Sequence, residues 1–490
     1  MTEPRIIIVS NRLPVTVSHA GGSIDIRPSS GGLVTAMRAV VSDYHASWIG
    51  WTGTDGEVKR EWLAPAAAGI NCDLFPVTLT PEQVSKFYYG FSNEIIWPLF
   101  HDLQSRCNFD PSYWNAYVDV NETYASVVSE IARPDDIIWV HDYHLALVGS
   151  SLRRRGVRSR IAFFQHIPFP SLDIFSKLPW RKQVLEALLE HDVIGFQTTR
   201  DSRNFVQCCR ALTTVKAKRD NDSLYMYRPG QRSNVVTVPI GIDFDEFSNH
   251  AASEEVLRET RLLRAALPRV RIILGVDRLD YTKGIPERLR AFESLLENHP
   301  ELHRTVVLVQ IVVPSREDVP RYRDLRLEIE QLVSRINGRF THTGWVPIHF
   351  VYRSLARPQL LAHYRAADVA LVTPLKDGMN LVAKEFCAAQ VDCTGVLVLS
   401  EFAGAALQMK EALLVNPNDI QGVAESLHRA LMLDPRERRR RMQRLRRTVR
   451  RENVHHWSAH FLAHLQMDVG DRKLYPVALP KDPGRLVVAV

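Results

Sequence analysis

Two successive series of short apolar segments, separated by longer amphipathic stretches, constrain the fold of this 490-residue chain more than any other feature. The first series predicts strands at 5–10, 136–141, 160–166, 192–197 and 234–240, and the second predicts strands at 271–276, 305–313, 368–373, 395–400 and 412–417. Strands that alternate with helices form parallel sheets through right-handed crossovers, with helices on both faces. The sequence therefore predicts an α/β fold with two doubly wound, Rossmann-like domains that face a deep cleft.

The boundary between the two domains is predicted at the segment PIGIDFDEF (239–247), where a strand end is followed by glycine and acidic residues. This interpretation places an N-terminal domain at 1–245 and a C-terminal domain at 246–460. The stretch 461–490 contains a helix end and a proline-containing tail, which we expect to pack back on the N-terminal domain.

The positive charge of the chain is concentrated in one segment. The net charge is +7, but residues 436–451 hold ten arginines and one glutamate and so carry +9, which leaves −2 for the remainder. A charge run of this kind is typical of a solvated helix, here with Leu445 and Val449 facing inward. A protein that binds nucleic acid through its main body is therefore disfavoured.

The sequence also predicts a cytoplasmic protein that is not membrane-bound. No apolar run approaches the ~18 residues that a membrane span needs, and the N-terminus lacks the pattern of a signal peptide. The 6 cysteines form no CxxC pair and no framework spacing. They are predicted to be reduced and mostly buried thiols.

Polar residues follow the strands of the first series, at the sheet edge where ligands of open parallel sheets bind. Arg12 follows the first strand, and Gly32 belongs to a glycine pair that precedes a helix, where backbone N–H groups can approach a phosphate. Asp142 and His166 follow two neighbouring strands. The alternatives are a glycine turn with a surface arginine, and histidines with structural roles. A zinc site lacks a third ligand at a supporting spacing.

The first strand of the second series is followed by a loop that contains Arg278 and Lys283. Two cations at the carboxyl edge of a sheet suit a diphosphate. An ordinary charged loop is the alternative interpretation.

The segment TPLKDGMNLVAKEF (373–386) predicts a turn followed by a helix. The free N–H groups of Asn380 and Leu381 would face an anion, assisted by the helix dipole. Glu385 lies one turn beyond Leu381 on the same face and could reach a pair of ribose hydroxyls, and Asp377 could accept hydrogen bonds from a sugar. The alternative is a capped helix with exposed charges.

An aromatic segment, FYYGFSNEIIWPLFH (87–101), contains Tyr88 and Trp97. Such a stripe usually belongs to a core, but ring faces flanked by polar edges also form platforms for sugars. Arg316 follows a strand of the second series and offers a cation to a second anion.

Together these motifs resemble those of the trehalose-6-phosphate synthase family, which are retaining glucosyltransferases of the glycosyltransferase B architecture. The matching segments, in the family's order across about residues 5 to 460, are SNRLPV, SSGGL, the spacing from Tyr88 to Trp97 with FSN between them, WVHDYHL, FFQHIPFP, VDRLDYTKG, VPSRED and TPLKDGMNLVAKEF. One departure is Tyr88-Tyr89-Gly90, where relatives often carry a bulkier polar pair, and this puts the packing around the acceptor in doubt.

The resemblance implies a role for each candidate residue. Arg12, Tyr88, Trp97 and Arg316 would hold the acceptor, and Gly32, Arg278, Lys283, Asn380, Leu381 and Glu385 would hold the nucleotide sugar. Asp142, His166 and Asp377 would surround the transferred glucose, and together with Arg278 and Lys283 they are the expected catalytic residues.

The implied reaction transfers glucose from a nucleotide diphosphate glucose to glucose 6-phosphate and gives α,α-trehalose 6-phosphate. UDP-glucose is the expected donor, with GDP-glucose and ADP-glucose as alternatives. A front-face mechanism is expected, and so is a homo-oligomer, a dimer or tetramer. No appended phosphatase domain is expected.

No metal or other cofactor is expected, because the cations and helix amides can stabilise the departing diphosphate. The sequence DFD (243–245) resembles a metal-binding DxD motif, but its position after a strand and before a helix favours a linker. The alternatives are a related transferase with another sugar-phosphate acceptor, and a catalytically silent sugar-phosphate sensor.

Overall fold

Parallel strands form two separate sheets in the computed structural model of the protein. The structure describes residues 5–20, 23–28, 32–41, 44, 46–54, 56–220, 223–228, 231–316 and 319–467. The proline-containing tail predicted for the end of the chain lies outside these residues.

The strands are listed here in chain order: β1 (Ile6–Arg12), β2 (Val15–Ala20), β3 (Ser23–Pro28), β4 (Ala46–Trp51), β5 (Cys72–Val77), β6 (Ile137–His141), β7 (Arg160–Gln165), β8 (Val193–Phe196), β9 (Lys216–Asp220), β10 (Ser223–Arg228), β11 (Gln231–Thr237), β12 (Arg271–Arg278), β13 (Val306–Val313), β14 (Ile348–Tyr352), β15 (Val369–Val372), β16 (Val396–Ser400) and β17 (Leu413–Val415).

The α-helices are α1 (Gly32–Val41), α2 (Ala64–Ile70), α3 (Pro81–Gln83), α4 (Trp97–Phe100), α5 (Pro111–Ile131), α6 (Val148–Arg154), α7 (Leu172–Phe175), α8 (Arg181–Leu188), α9 (Thr199–Leu212), α10 (Phe244–Ala251), α11 (Glu254–Ala266), α12 (Ile285–Asn298), α13 (Pro320–Phe340), α14 (Arg357–Ala366), α15 (Leu381–Ala389), α16 (Ile420–Met432), α17 (Pro435–Arg451) and α18 (Val454–Met467). A wider π-helix (Val84–Ile96) leads directly into α4. Among the described residues, no helix combines the length and the apolar character required to cross a bilayer.

Within the described part of the chain, the first sheet has nine strands in the order β5-β4-β1-β6-β7-β8-β11-β10-β9. Its strands are parallel as far as β11, whereas β10 runs antiparallel to both of its neighbours. This edge departs from the predicted parallel sheet. The second sheet has six strands in the order β14-β13-β12-β15-β16-β17, and all of its pairs are parallel.

The central strands of the second sheet are buried on both faces. Every residue of β13 except Val313 is buried, as is β12 between its two terminal arginines. Continuous apolar strands of this kind require helices on both sides, which the crossovers supply. The predicted architecture of two doubly wound, Rossmann-like domains is confirmed.

A glycine fixes the turn between β12 and α12. Gly284 adopts φ +64°, and a Cβ at this position would lie 2.3 Å from the carbonyl oxygen of Thr373. Only glycine combines this conformation with so close an approach. The turn therefore holds Lys283 next to the end of β15.

The chain passes between the two sheets at two points that touch each other. Val454 N–H donates to the carbonyl oxygen of Ile242 at 3.0 Å, so the second passage lies against the first. After it, α18 returns to the first sheet, where Trp457 and Phe461 pack on Trp139 at ring distances of 5.1 and 4.9 Å. The end of the described chain thus supports the sheet in which the chain began.

The arginine-rich segment forms α17, with Leu445 and Val449 buried as predicted. Several of its arginines satisfy carbonyl groups at the ends of other helices. Arg446 donates to the carbonyl oxygens of Cys387 and Ala388 in the last turn of α15. Carbonyls in the last turn lack the amide donor four residues later in the helix, so these bonds from the charge run stabilise the second domain.

Candidate active site

Arg12 lies at the end of β1 with its guanidinium carbon 4.1 Å from the centre of the Trp51 ring. The two residues are register partners at the ends of β1 and β4. Gly53 adopts φ +94°, and a Cβ there would lie 1.7 Å from a guanidinium nitrogen of Arg12. The arginine therefore occupies space that only a glycine leaves open, and its position over the ring is fixed by packing.

Tyr88 and Trp97 come from the π-helix and the helix that follows it. π-Helical turns are rare and are often found at functional sites. The Tyr88 ring is nearly parallel to that of His144, at 6.0 Å and 13°, and meets Trp51 edge-on at 5.8 Å. These rings form one aromatic wall beside Arg12.

Arg316 reaches the same wall from the second domain. It follows β13, and its guanidinium carbon lies 4.7 Å from the centre of the Trp97 ring. It donates to the Tyr322 hydroxyl at 2.5 Å and lies 3.6 Å from the carboxylate of Asp280. Its side chain is only 6% exposed.

The two arginines act on a common group. Burial alone would raise the pKa of the Tyr88 hydroxyl, but the positive charges of Arg316 and Arg12 bring that pKa below its ordinary value. One cation from each domain therefore faces Tyr88. We call this group of Arg12, Trp51, Tyr88, Trp97 and Arg316 the acceptor pocket, after the role that the sequence resemblance implies for four of its members.

The acceptor pocket contains polar atoms that the protein leaves without a partner. The Tyr143 hydroxyl and both ring nitrogens of His144 are buried and meet no hydrogen-bonding group within the described residues. Buried polar atoms are normally satisfied, so unsatisfied ones beside two cations indicate a site for a polar, anionic ligand. Sequence reasoning missed Tyr143, although it directly follows Asp142, and it missed Trp51 because β4 was not predicted.

A second group of charges lies at the edge of the second sheet. Lys283 donates through Nζ to Asp377 Oδ2 at 2.5 Å, and both side chains are largely buried. Burial would raise the pKa of Asp377, but Lys283 holds it below its ordinary value. The two charges neutralise each other.

The helix α15 begins at the same edge. Asn380, in the left-handed region at φ 70°, caps the helix by accepting from Ala383 N–H at 3.3 Å and donates to Asp377 at 3.2 Å. Leu381 is the first helical residue, so its N–H group is available at the positive end of the helix dipole. We call Lys283, Asp377, Asn380 and Leu381 the donor edge, after the role that the sequence resemblance implies for three of its members.

Glu385 lies one turn further along α15. Its carboxylate accepts a hydrogen bond from the Tyr364 hydroxyl at 2.9 Å, and burial raises its pKa. This places an oriented hydrogen-bond acceptor one turn beyond the helix start.

Arg278 lies beside the acceptor pocket. It is the last residue of β12 and is exposed, and its guanidinium carbon is 5.9 Å from the centre of the Trp97 ring. Burial raises the pKa of Asp142, and the positive charge of Arg278 partly offsets that rise. Arg278 thus carries an exposed charge close to Trp97 and Asp142.

Asp142 and His166 lie on the first domain, at the ends of β6 and β7. Asp142 adopts φ 70° and accepts from His166 N–H at 3.2 Å. Burial raises the pKa of Asp142 to about 6 and lowers that of His166 to about 3. His166 is therefore neutral near pH 7, and its ring lies 3.1 Å from His141, nitrogen to nitrogen.

The two domains meet next to these residues. A Cβ on Gly378 would lie 2.0 Å from the carbonyl oxygen of His166. Trp97 bridges the domains as well, since its ring N–H donates to Asp280 at 3.3 Å. The structure therefore brings His166 close to the loop that contains Asp377.

Gly32 is the first residue of α1, the helix that follows the β2–β3 hairpin. Arg38 in this helix donates to the carbonyl oxygen of Pro14 at 3.2 Å. This bond fixes α1 against the loop after β1, on the side of the first sheet where Arg12 ends its strand.

A possible metal-ligand group lies elsewhere. Among the described residues, ligand atoms of His299, Glu301 and His428 lie within 4.8 Å of one another. The two imidazole rings are stacked at 3.7 Å and 6°, so their in-plane nitrogens do not point to a common centre. This cluster, between the end of α12 and α16, does not involve the acceptor pocket or the donor edge.

Comparisons with known sequences extend over nearly the whole chain. A model described as glycosyltransferase family 20 matches residues 4–467. A bifunctional trehalose-6-phosphate synthase/phosphatase from Thermoproteus tenax is 42% identical over 469 residues, which cover 94% of this chain and 63% of that protein. A trehalose-6-phosphate synthase from Mycolicibacterium vanbaalenii is 41% identical, with 93% and 94% covered. The chain thus spans less than two thirds of the Thermoproteus relative.

Solved structures are similar to the same extent. An α,α-trehalose-phosphate synthase (UDP-forming) from Burkholderia xenovorans, in complex with glucose-6-phosphate, has a TM-score of 0.85 at 37% identity and covers 94% of this chain and 100% of its own. An E. coli structure described as trehalose-6-phosphate bound with UDP-2-fluoro glucose has a TM-score of 0.86 at 37% identity, with 95% and 99% covered. The similarity includes both domains.

Proposed function

The chain belongs to glycosyltransferase family 20, and from that membership we propose that it transfers glucose from UDP-glucose to the anomeric hydroxyl of glucose 6-phosphate. The products are α,α-trehalose 6-phosphate and UDP. Similar structures hold glucose-6-phosphate in one case and UDP-2-fluoro glucose in another, which supports both substrates. The acceptor would be held by residues of both domains, and the donor by residues of the second domain.

The observation that carries this proposal is the presence of two cation groups near the loops of Asp142 and His166. Arg12 and Arg316 converge on Tyr88 from different domains. Lys283 and the start of α15 converge on Asp377. Two anionic substrates that react with each other require separate positive sites separated by the length of one sugar.

The chemical difficulty is the departure of the diphosphate, on which negative charge develops as the anomeric C–O bond breaks. In the proposed mechanism Lys283 exchanges its bond to Asp377 for a diphosphate oxygen, and Arg278 and the amide of Leu381 add to it. The released Asp377 accepts a hydrogen bond from a hydroxyl of the glucose. Each such preorganised donor contributes on the order of 10²–10³ in rate.

We propose that the configuration is retained through front-face attack. The acceptor hydroxyl attacks the anomeric carbon on the side that the diphosphate leaves, and the departing phosphate oxygen takes its proton. Retention by double displacement would need a carboxylate nucleophile on the opposite face. Intact-protein mass spectrometry during turnover tests this step, because a glucosyl adduct on Asp142 or Asp377 would contradict it.

The remaining properties are proposals of the same kind. We propose that no metal or cofactor takes part, since Lys283, Arg278 and the α15 amides supply the positive charge. We propose a cytoplasmic location, which the six free thiols support, because reducing compartments maintain them. A dimer or tetramer is also proposed, and light scattering on the purified protein measures it.

The function is tested by incubating the protein with glucose 6-phosphate and UDP-, GDP- or ADP-glucose in turn, with a chelator present. NMR of the product is expected to show a 1,1-linked disaccharide phosphate with both anomeric carbons in the α configuration, formed fastest from UDP-glucose. The Arg278→Ala variant controls for a contaminating activity. Binding of both substrates without turnover would instead identify a sugar-phosphate sensor, and a different linkage would identify another acceptor.

A further inference from the structure

An ion pair joins the two domains next to the donor edge. Lys376, in the loop before α15, donates to Asp102 Oδ2 at 2.6 Å, although the two residues belong to different domains. The lysine side chain is 13% exposed and the aspartate side chain is 49% exposed. Neither residue belongs to the acceptor pocket or the donor edge.

Asp102 terminates the helix that carries Trp97. Its N–H donates to the carbonyl oxygen of Leu99 at 3.2 Å, and its φ is +61°. This left-handed conformation usually calls for glycine, although aspartate and asparagine tolerate it. The observed conformation places a carboxylate at the end of α4, where it faces the second domain.

Lys376 lies in the second domain, in the loop that contains Asp377. The next residue is Asp377, and the one after it is Gly378, which touches the carbonyl of His166. Leu375 N–H donates to the carbonyl oxygen of Thr282 at 2.8 Å, so the loop is tied to its own domain immediately before Lys376. The ion pair therefore connects the turn that holds Trp97 to the loop that holds Asp377.

Because the Lys376 side chain is largely buried, its positive charge needs the nearby carboxylate of Asp102. Burial lowers the pKa of Lys376, while the charge of Asp102 opposes that effect. A cavity of about 370 Å³ lies beside the pair and is lined by both domains, with Ser171, Arg200 and Phe402 among its walls. Without Asp102, Lys376 would be a poorly hydrated charge next to Arg200, and it would favour an arrangement of the domains that exposes it to water.

We propose that Lys376 and Asp102 are positioning residues, which set the separation of the two domains at which Asp377 reaches the transferred glucose and Trp97 reaches the acceptor. The pair forms when the domains close and returns to water when they open. It also helps to exclude water from the reacting centre, because Lys376 directly precedes Asp377. This inference rests on the proposed glucosyl transfer.

The experiment compares Asp102→Asn, Lys376→Met and the double variant with the unchanged protein. Asparagine keeps the left-handed turn, so Asp102→Asn removes the charge without disturbing the end of α4. Each single variant is expected to lose about tenfold in kcat/KM for transfer. The fraction of UDP released without disaccharide phosphate should rise, and the double variant should be no worse than the poorer single one. Losses that multiply in the double variant overturn the proposal.

Two further variants separate positioning from a general structural role. Lys376→Arg keeps the ion pair and should restore most of the transfer that Lys376→Met loses. Lys86→Met removes a comparable pair, since Lys86 bonds Glu82 at 2.6 Å within one domain, and should change neither the rate nor the hydrolysed fraction. Loss of activity in Lys376→Arg equal to that in Lys376→Met contradicts the assignment.

A readout without turnover distinguishes this inference from the proposed function. Hydrogen exchange with UDP bound should become faster in Asp102→Asn at two separate segments, α4 and residues 375–380, because the pair joins them. If the unchanged protein makes no disaccharide phosphate, the proposed function fails while the exchange result still decides the role of the pair. Unchanged exchange at residues 375–380 overturns the inference even in an active enzyme.

Discussion

The acceptor pocket and the donor edge both collect positive charge, but they hold it in opposite ways. In the acceptor pocket, Arg12 and Arg316 lie against the rings of Trp51 and Trp97 at 4.1 and 4.7 Å. At the donor edge, Lys283 is bonded to Asp377. The first site holds its charges against aromatic rings, with Arg316 also 3.6 Å from the carboxylate of Asp280, whereas the second pairs its cation directly with a carboxylate.

The difference follows from the chemistry of the two side chains. Arginine is weakly hydrated, stacks on aromatic rings and remains charged, so it can be held as a cation against rings in a buried pocket. Lysine is a compact and strongly hydrated charge, which a buried site must pair with an anion. The acceptor phosphate should therefore enter a rigid site, and the donor diphosphate should rearrange the site it enters.

Lys283→Met should have the largest effect on transfer, because it removes the cation of the donor edge. We expect kcat for transfer to fall on the order of 10²–10³, because the charge on the departing diphosphate loses a preorganised donor. Binding of glucose 6-phosphate should be unchanged. Initial rates of UDP release and disaccharide formation measure the effect.

Lys410→Met is the matched control for this prediction, since Lys410 is an exposed lysine of the same domain. It should retain the full rate. A Lys283→Met variant within threefold of the unchanged protein would show that the diphosphate is stabilised by other groups.

Arg316→Ala should affect the other site. The Michaelis constant for glucose 6-phosphate is expected to rise about a hundredfold, because a largely buried arginine faces the acceptor and charge-assisted hydrogen bonds are strong. Slow hydrolysis of UDP-glucose should be largely retained. Assays with and without acceptor measure the two quantities separately, and an equal loss of both argues against the division into two sites.

The pH dependence of stability tests whether the carboxyl group of Asp142 is desolvated in the folded protein, as expected in a space that holds an uncharged sugar. Its pKa is raised by burial from 3.8 to about 6, so the folded protein holds this proton more tightly than the unfolded chain does. As the pH rises from about 4 to about 6, deprotonation of Asp142 therefore lowers the free energy of unfolding. Above that range the folded protein is destabilised by the full amount, about 2–3 kcal/mol.

Asp142→Asn removes that cost. Denaturant unfolding should show the variant to be more stable than the unchanged protein by about 2 kcal/mol at pH 7.5, with little difference at pH 4. Transfer should nevertheless be lost. A stability difference that does not depend on pH would mean that Asp142 is not desolvated in the folded protein.

Glu385→Gln should have the smallest effect, and it tests the proposed contact of Glu385 with the ribose of the donor. Glutamine keeps an acceptor for the Tyr364 hydroxyl but weakens the hydrogen bonds offered to a ribose. We expect the Michaelis constant for UDP-glucose to rise about fivefold, with that for glucose 6-phosphate unchanged. A larger effect on the acceptor would place Glu385 outside the ribose site.

The ten strands expected from continuous apolar runs are all present, because buried parallel strands carry an unmistakable pattern. The strands that sequence reasoning missed lack this pattern. In β4 and β5, Gly50 and Pro76 interrupt the apolar character, and many residues of β9, which is an edge strand, and of the neighbouring β10 are polar. The edge strand β14 was also missed, since only one of its residues is buried.

The candidate site was predictable in its members but not in its pairings. Residues after strands were expected at one edge, and the structure brings most of them together. The bond between Lys283 and Asp377 joins residues that are 94 positions apart, and no local pattern indicates it. The same holds for the contact of Arg316 with Trp97 across the domains, and for the π-helix that presents Tyr88.

The most direct test of the two-site account is calorimetric titration of UDP and glucose 6-phosphate into the unchanged protein, Arg316→Ala and Lys283→Met. The account predicts a crossed result, in which Arg316→Ala loses affinity for glucose 6-phosphate and keeps that for UDP, while Lys283→Met does the reverse. A contradiction would be an equal loss of both affinities in both variants, since this would mean that the two groups of charges serve a single anion.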